Sequence, residues 1–551
     1  MTDSGTNGSS PSKVARFVAA LTPVRVFLLT AGFGILFFIV RIREAIFDDS
    51  YITYRYARNI ARGLGPIFNP GEKVEGCTTF LQMTVLAPFI ALGINPYHVS
   101  VVIAHLCLAL ITALGYRKIT RAPQSNYNAN WSLFFPLLMA TNPAMIHWVL
   151  SGMETIWFMA AVVGAVWLAE SEMDHDRRPI LSALVCVLAA LIRPEGTTLA
   201  AALALSWLCF VRPLPIRRVV VFALLFAVLY GVYFAWRYSY YGYLYPNTYY
   251  AKVDGIRMAI LWRGLLYVVP NLLWGVFPLA AILLFRRVRD RALPLLRWEK
   301  ISLVVVTAFC AQSVFSGGDF MPYFRFLVPI WPLTVLLTWS LLARFDGEFI
   351  GRIKFLGRHL RRFATERLSA GTLILYVLVL NVSMMVLGIN EFKIIVGMGV
   401  VRRMEMDAKV LDGVLPKDAL VAAVAIGAMG YILDRPLIDI LGLTDEHIAH
   451  KRMKTGLGVP GHEKYDTPYL LSRQPDFILN CVEVSKTPLQ ECPAGKKEKG
   501  LPAVVSLENA PQFIKKYAYC SHPVENGYIS TYMRRARDGQ PEYKGWTCPK
   551  K

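Results

Sequence analysis

The sequence predicts a polytopic α-helical membrane protein with about eleven transmembrane helices, further juxtamembrane helices and a small C-terminal α/β domain. Three observations support this prediction. Hydrophobic residues make up 55% of the 551 residues and charged residues only 18%, which is too apolar for a soluble protein of this size. Apolar runs long enough for a bilayer recur, and Lys and Arg gather in the short loops between them. From residue 390 onward the polarity is ordinary.

The first apolar run sets the orientation. The Gly- and Ser-rich start, residues 1–12, is polar and has no apolar core ahead of a small-residue cleavage site, so we expect no removable signal peptide. Residues 1–23 are predicted to form a cytoplasmic tail. Lys13, Arg16 and Arg25 flank the first span, which predicts a cytoplasmic N-terminus and an external first loop, residues 41–79. The same rule, applied onward, gives spans at 24–40, 99–116, 131–149, 156–169, 180–192, 197–211, 219–236, 265–285, 301–315, 326–342 and 373–387.

The apolar run Phe80 to Gly93 is treated differently. It is short and contains Pro88, so we interpret it as a juxtamembrane or re-entrant segment, although a full crossing stays open. This interpretation puts the basic residues at 117–121 on the cytoplasmic side. The membrane part is then predicted to extend over residues 24–389 of a multi-pass protein in the inner (plasma) membrane.

Residues 390–551, the tail, are predicted to form an extracytoplasmic α/β domain. Apolar runs of strand character occur at 420–426 and 477–479, between helical and turn-like pieces. Four of the nine cysteines lie in the tail, where an oxidising compartment would allow disulfides, and sequence leaves all three possible pairings open. These cysteines are Cys481, Cys492, Cys520 and Cys548.

The formal net charge of +21 does not indicate a nucleic-acid partner. The basic residues lie mostly in short loops between apolar runs, where they set membrane orientation. We therefore expect membrane lipid as a partner and no nucleic acid.

Asp48 and Asp49 are adjacent carboxylates at the end of the first span. Acidic groups beside a membrane are costly and are often functional. One of the pair could act as a general base on an acceptor hydroxyl, or the pair could hold a divalent metal. The alternative is a helix cap for the stretch 50–62.

That stretch places Tyr51, Arg55 and Arg58 at helical spacing and forms a basic face beside an apolar one. Arginines on the outer side require an anionic partner, either the phosphate of a lipid-linked substrate or ordinary lipid headgroups. Glycines and prolines at 63–71 then impose turns that should return Glu75 toward the membrane.

Four more predicted external turns carry polar groups at span ends, and all four arrive at one membrane face. This clustering predicts a single shared cavity. Cations in it would stabilise a phosphate leaving group, whereas intramembrane salt bridges are the alternative, with Glu154 or Glu195 as the partner of Arg193. The cations of these turns are Arg193, Lys252 and Arg325, and the other polar groups at the span ends include Glu154, Glu195, Asn247 and Asp319.

Several runs resemble the bacterial GT-C glycosyltransferases. They are residues 48–59, 68–72, 75–76, 151–155, 193–196, 246–248 and 317–321, with a further run at 438–445 in the tail. Within that superfamily the chain looks most like the terminal arabinofuranosyltransferases. It departs from them at 322–325, where Pro-Tyr-Phe-Arg stands in place of a His-Gly-Arg pattern.

The resemblance implies an inverting transfer of a sugar, D-arabinofuranose in our interpretation, from a polyprenyl-phosphate donor to a cell-envelope glycan or glycoconjugate. It implies that the base is Asp48 or Asp49. It also implies donor or acceptor contacts at Glu154, Arg193, Glu195, Asn247, Asp319 and Arg325. It requires no nucleotide and leaves a divalent metal open. Rival hypotheses are a mannosyl or aminoarabinosyl transferase acting on protein or lipopolysaccharide, a membrane transporter, and a non-catalytic scaffold.

Overall fold

The computed structural model describes residues 21–41, 46–121, 132–253, 257–272, 295–343, 378–382, 393–493, 501–536 and 543–549. The described chain is helical up to residue 343, and a mixed β-sheet occurs in the tail. Residues 344–367, which lie between the predicted spans 326–342 and 373–387, and the lysine-rich run at 496–499 are outside the described residues.

Apolar helices dominate the membrane part. Four described helices are long and apolar enough to cross a membrane: Pro96–Thr120, Thr155–Asp174, Ile216–Tyr241 and Arg297–Ser316. The others are Pro23–Arg41, Asp48–Ala61, Phe80–Ala91, Phe134–Thr141, Pro143–Leu150, Ile180–Ile192, Gly196–Phe210, Asn247–Val253, Arg257–Leu272 and Trp331–Ala343, with 3-10 turns at Pro322–Phe324 and Val328–Ile330. The predicted spans 265–285 and 373–387 lie partly outside the described residues.

The segment predicted as a span at 131–149 is not one continuous helix within the described residues. The structure has two short helices there, Phe134–Thr141 and Pro143–Leu150, which meet at Asn142. A residue that precedes proline is disfavoured in the helical conformation. The Asn142 side chain instead caps the second helix, accepting hydrogen bonds from the amides of Ala144 (2.9 Å) and Met145 (3.3 Å).

The segment after the first loop forms the helix Phe80–Ala91, which has 12 residues. At the rise of an α-helix it is about 18 Å long, well short of a bilayer core of about 30 Å. The helix alone therefore does not reach across a membrane.

The tail begins with the helix Lys393–Val414 and continues into a five-stranded sheet. The strands are β1 (Val421–Ala423), β2 (Leu437–Asp439), β3 (Phe477–Ser485), β4 (Tyr517–Val524) and β5 (Gly527–Arg534), in the order β2-β1-β3-β5-β4. β1 runs parallel to β2 and β3, whereas β5 is antiparallel to β3 and β4. Short helices connect them: Gly427–Leu433, Glu446–His450, Thr467–Ser472, Pro502–Glu508 and Pro511–Lys516.

Two disulfides brace the tail. Cys481 in β3 is bonded to Cys492, and Cys520 in β4 is bonded to Cys548. This is one of the three pairings that the sequence left open. Both bonds tie a segment outside the sheet to one of its longer strands.

The tail packs directly on the first loop through Arg55, which is only 2% exposed. Its guanidinium donates to the carbonyl of Phe68 (2.8 Å) in the loop and to the carbonyls of Gly430 (2.8 Å) and Arg435 (2.7 Å) in the tail. Arg58 forms an ion pair with Asp434 of the tail at 2.6 Å. The basic face of the helix Asp48–Ala61 is thus turned to the tail.

Candidate active site

A cavity of about 550 Å³ lies where the first loop, the turn at 320–322 and the tail meet. Most of its wall is apolar, and a few polar groups converge on it, as is typical of a ligand site. From the membrane part it is lined by Ile46, Phe47, Asp48, Asp49, Ile52, Lys252, Phe320, Met321 and Pro322, and from the tail by Val400, Val401, Met404, Val424, Ala425, Ile426, Leu441, Leu443, Pro460, Gly461 and His462.

Asp48 and Asp49 begin the helix Asp48–Ala61 and both line this cavity. The Asp48 carboxylate accepts hydrogen bonds from two tail amides, Gly427 (3.0 Å) and Ala428 (2.8 Å). The pKa of Asp48 is raised to about 6, because burial and, to a smaller extent, the charge of Asp49 outweigh the lowering effect of these hydrogen bonds. Asp49 makes no hydrogen bond or ion pair with any described residue.

The close approach of the tail to Asp48 depends on a glycine. A Cβ placed on Gly427 would lie 1.9 Å from the Asp48 carbonyl oxygen and 2.7 Å from its Cγ. No side chain fits in that space. Gly427 is therefore required where the tail amides contact the aspartate.

Lys252 lies in the last turn of the helix Asn247–Val253 and lines the same cavity as the aspartates. Among the described lining residues it carries the one permanent positive charge. It forms no ion pair within the described ranges, but it contributes to the electrostatics of Asp319. Burial alone would raise the pKa of Asp319; Arg325, Lys252 and Arg193 together lower it.

Arg193 lies at the centre of a buried charge network beside this cavity. Its guanidinium contacts Glu154 at 2.7 Å and Glu195 at 2.6 Å. Burial would lower the pKa of Arg193, but Glu195 and Glu154 outweigh that effect and raise it. The salt-bridge alternative considered for Arg193 is therefore present in the structure.

Arg325 and Asp319 form a second buried pair, with Nε and Oδ2 2.6 Å apart. The chain between them is strained, because Tyr323 (φ 52°) and Phe324 (φ 53°) both adopt the left-handed conformation. Arg325 also lowers the pKa of Glu195, against burial and together with the nearer Arg193. The predicted turns at 154, 193–195, 252 and 319–325 thus come together in one region.

Other predicted residues lie apart from the cavity. Glu75 forms a buried ion pair with Arg237, whose Nε lies 2.9 Å from Oε1. Asn247 donates to the carbonyls of Gly442 (2.9 Å) and Leu443 (3.0 Å), and so fixes the tail segment that walls the cavity. The hydroxyl of Tyr51 donates to Glu405 of the tail.

Two features of this region were not predicted from the sequence. Arg237 is buried near the C-terminal end of an apolar helix, as Arg193 is, and the same criterion applied to both would have identified it. The tail side chains that line the cavity, such as Met404 and Leu443, are ordinary apolar residues with no sequence signal. Among the described residues no group of three or more His, Cys, Asp or Glu is arranged to hold a metal ion.

Comparison with known proteins gives three findings. Residues 399–535 match a family described as Domain of unknown function (DUF8728). The terminal beta-(1->2)-arabinofuranosyltransferase of Mycobacterium tuberculosis is 26% identical over 343 residues, 54% of this chain and 53% of that protein. The protein of the same name from Corynebacterium glutamicum is 31% identical over 109 residues, 20% of this chain and 14% of that protein. The chain thus spans about half the length of the Mycobacterium relative.

Among solved structures, ArnT from Cupriavidus metallidurans, crystallised with undecaprenyl phosphate, matches with a TM-score of 0.51 and 12% identity over 78% of this chain and 86% of that chain. The protein therefore has a GT-C fold and is a helical membrane protein. Within that class it is similar to the terminal arabinofuranosyltransferases. The resemblance read from the sequence motifs is confirmed at this level.

Proposed function

We propose that the protein is a membrane glycosyltransferase that transfers a sugar, D-arabinofuranose, from a polyprenyl-phosphate donor to a cell-envelope glycan on the extracytoplasmic face. The observation that carries this proposal is the placement of paired carboxylates and a lysine on one largely apolar cavity wall. The sequence similarity to arabinofuranosyltransferases supports the choice of sugar, and the ArnT-like fold supports a lipid-linked donor.

The reaction is a single displacement. An acceptor hydroxyl gives its proton to a carboxylate of the Asp48–Asp49 pair and attacks the anomeric carbon. The new glycosidic bond forms as the bond from that carbon to the phosphate oxygen breaks, and its electron pair leaves with the polyprenyl phosphate. Attack from the face opposite the leaving group inverts the anomeric centre.

Lys252 is the group we assign to the leaving phosphate. Arg193 and Arg325 are already paired with carboxylates, whereas Lys252 lines the cavity without an ion pair in the described part of the chain. A fixed cation aimed at developing negative charge stabilises the transition state more than the ground state. The Arg193 and Arg325 pairs then serve to position the strained turn at 323–324.

Asp49 is the better candidate for the base by geometry. Both carboxylate oxygens of Asp48 are occupied by tail amides, whereas no described residue engages Asp49. Asp48 would then bind the tail amides beside the cavity and orient the adjacent Asp49.

The test is transfer by the purified full-length protein in detergent. A radiolabelled polyprenyl-phosphate arabinofuranose donor is compared with the mannose and aminoarabinose donors, each with an arabinan acceptor. We expect label in the acceptor with the arabinose donor alone. Transfer from the mannose or aminoarabinose donor instead would reject arabinose, and transfer from none would reject the proposed function.

A further inference from the structure

A second and larger cavity lies on the other side of the tail segment 441–445. This groove has a volume of about 820 Å³ and lies between residues 71–74 of the first loop, Tyr243 of the membrane part, and tail residues 445–473. Its size is within the range of a ligand site. None of the site residues derived from the sequence motifs is among its lining residues.

Aromatic rings line the groove from two directions. Tyr469 is stacked on His447, with ring centroids 3.9 Å apart and an angle of 14° between the planes. On the other wall, Tyr243 packs against His450 with centroids 4.6 Å apart. Tyrosine presents a rigid apolar ring with a polar tip, so it binds ligands that have both apolar and hydroxyl-bearing surfaces.

The polar groups of the groove are held in fixed positions. Arg473 donates to the Tyr469 hydroxyl (2.8 Å), which donates in turn to Asp445 (3.1 Å). Asp466 lies 3.0 Å from the amine of Lys451 and 3.1 Å from His447 Nε2. A ligand that enters the groove therefore meets donors and acceptors that are already ordered, so binding costs little further side-chain entropy.

The charge of the groove is nearly balanced. Four carboxylates face three cations, and two histidines accompany them. A phosphate or a nucleotide would require an excess of cations, and a lipid chain would require a continuous apolar strip. Aromatic rings with interleaved donors and acceptors suit a neutral ligand that bears many hydroxyl groups, which is the chemistry of a carbohydrate chain.

The groove and the catalytic cavity share one wall. Leu441 and Leu443 line the cavity, Asp445 lines the groove, and Asn247 holds the segment between them by its two carbonyl contacts. We infer that the groove is a binding site for the acceptor glycan, which holds the chain while its end reaches the cavity. This inference rests on the proposed function for the identity of the glycan.

The experiment measures binding without a donor. Full-length protein in detergent is titrated calorimetrically with a soluble oligo-arabinofuranoside. We expect saturable binding, weakened about tenfold by Tyr469→Ala and by Tyr243→Ala, since each removes one ring of an aromatic contact. Tyr528→Ala, which removes a tyrosine of the β4–β5 hairpin outside the groove, is the matched control and should bind as wild type.

A conservative variant separates ring contact from folding. Tyr469→Phe keeps the ring and removes the hydroxyl, so binding should stay within about threefold of wild type. An equal loss of binding affinity in Tyr469→Phe and Tyr469→Ala would show that the aromatic ring of Tyr469 does not contact the ligand. Wild-type binding in both Tyr469→Ala and Tyr243→Ala would overturn the groove. If one of the two variants is unstable, wild-type binding in the other is sufficient to overturn it.

Transfer assays then distinguish this inference from the proposed function. With the same oligosaccharide as acceptor, Tyr469→Ala should raise the acceptor KM about tenfold and leave kcat nearly unchanged. If Tyr469→Ala transfers sugar with an unchanged acceptor KM, the groove is rejected as the acceptor site and the proposed glycosyltransferase function stands. If oligosaccharide binding depends on Tyr469 but the protein transfers no sugar from any donor, the groove remains a glycan-binding site and the proposed glycosyltransferase function is rejected.

Discussion

The carboxylate of Asp48 in the first loop accepts a hydrogen bond of 2.8 Å from the backbone amide of Ala428 in the tail. The two residues are 380 positions apart in the chain. This contact joins the predicted catalytic turn to the first short helix of the tail. The tail is consequently a wall of the candidate active site and not an appendage beside it.

Replacement of Asp49 by Asn should reduce kcat by about 10²- to 10⁴-fold, because the carboxylate that faces the cavity is lost while its shape is kept. The thermal unfolding temperature should not change, since Asp49 holds no described partner. Asp418→Asn, at an exposed tail aspartate, is the control and should be fully active. Full activity in Asp49→Asn together with inactivity in Asp48→Asn would move the base to Asp48.

Asp48 should make stability depend on pH. Its pKa is about 6 in the folded protein against 3.8 for an ordinary aspartate, so the folded state binds this proton more tightly than the unfolded state does. The stabilisation by that proton is complete below pH 3.8 and is lost as the pH rises through about 6. Unfolding temperatures of wild type and Asp48→Asn, measured between pH 4 and pH 7 in one detergent, should therefore differ in slope below about pH 6 and become parallel above it. Curves that are parallel over the whole range would contradict the prediction.

A methyl group at Gly427 should separate the tail from the first loop. The new Cβ would lie 1.9 Å from the Asp48 carbonyl oxygen, so Gly427→Ala should cost about 1–3 kcal/mol of stability and remove most activity. Gly413→Ala is the matched control, because nothing lies within 4 Å of its Cβ position. That helical variant should be as stable as wild type or more so. Equal unfolding temperatures for the two variants would exclude the close contact.

Lys252→Gln should weaken the binding of the leaving phosphate in the cavity. We expect kcat to fall about 10²-fold and product inhibition by polyprenyl phosphate to weaken about tenfold, because the cavity loses its permanent cation. Lys454→Gln, at an exposed lysine of the tail, controls for net charge. Unchanged product inhibition in Lys252→Gln would remove this residue from the phosphate site.

The two disulfides should contribute unequally to the stability of the tail. Cys520–Cys548 spans 28 residues and Cys481–Cys492 spans 11. Loop-closure entropy grows with the length of the closed loop, so the Cys520→Ser/Cys548→Ser protein should lose about 1 kcal/mol more than the Cys481→Ser/Cys492→Ser protein. Thermal unfolding of the full-length variants in detergent measures the difference, and the reverse order would contradict it.

Length and hydropathy predicted the long helices well, because a bilayer imposes a single requirement that an apolar run either meets or fails. The helix Ile216–Tyr241 includes the predicted span 219–236, for example. The break at Asn142 was missed because an average over a window hides one Asn-Pro step. Local backbone chemistry there outweighs the apolar pattern around it.

The candidate site was predictable only in part. Charged residues at span ends, such as Arg193 and Asp319, stand out in an apolar sequence, so their convergence followed from topology. Arg55 shows the limit of that reasoning: its N–H groups bind carbonyl oxygens, which satisfy an arginine as a phosphate does. The apolar tail residues that line the cavity cannot be distinguished in the sequence from other apolar residues.

The hydrogen bond between Gly427 and Asp48 joins positions 379 residues apart, and this has a consequence for biosynthesis. The first loop is made early, but it reaches its final arrangement only after nearly four-fifths of the chain has been synthesised and Gly427 has arrived on the same side of the membrane. The candidate cavity is therefore complete only in a nearly full-length chain, since its lining extends from Ile46 to His462.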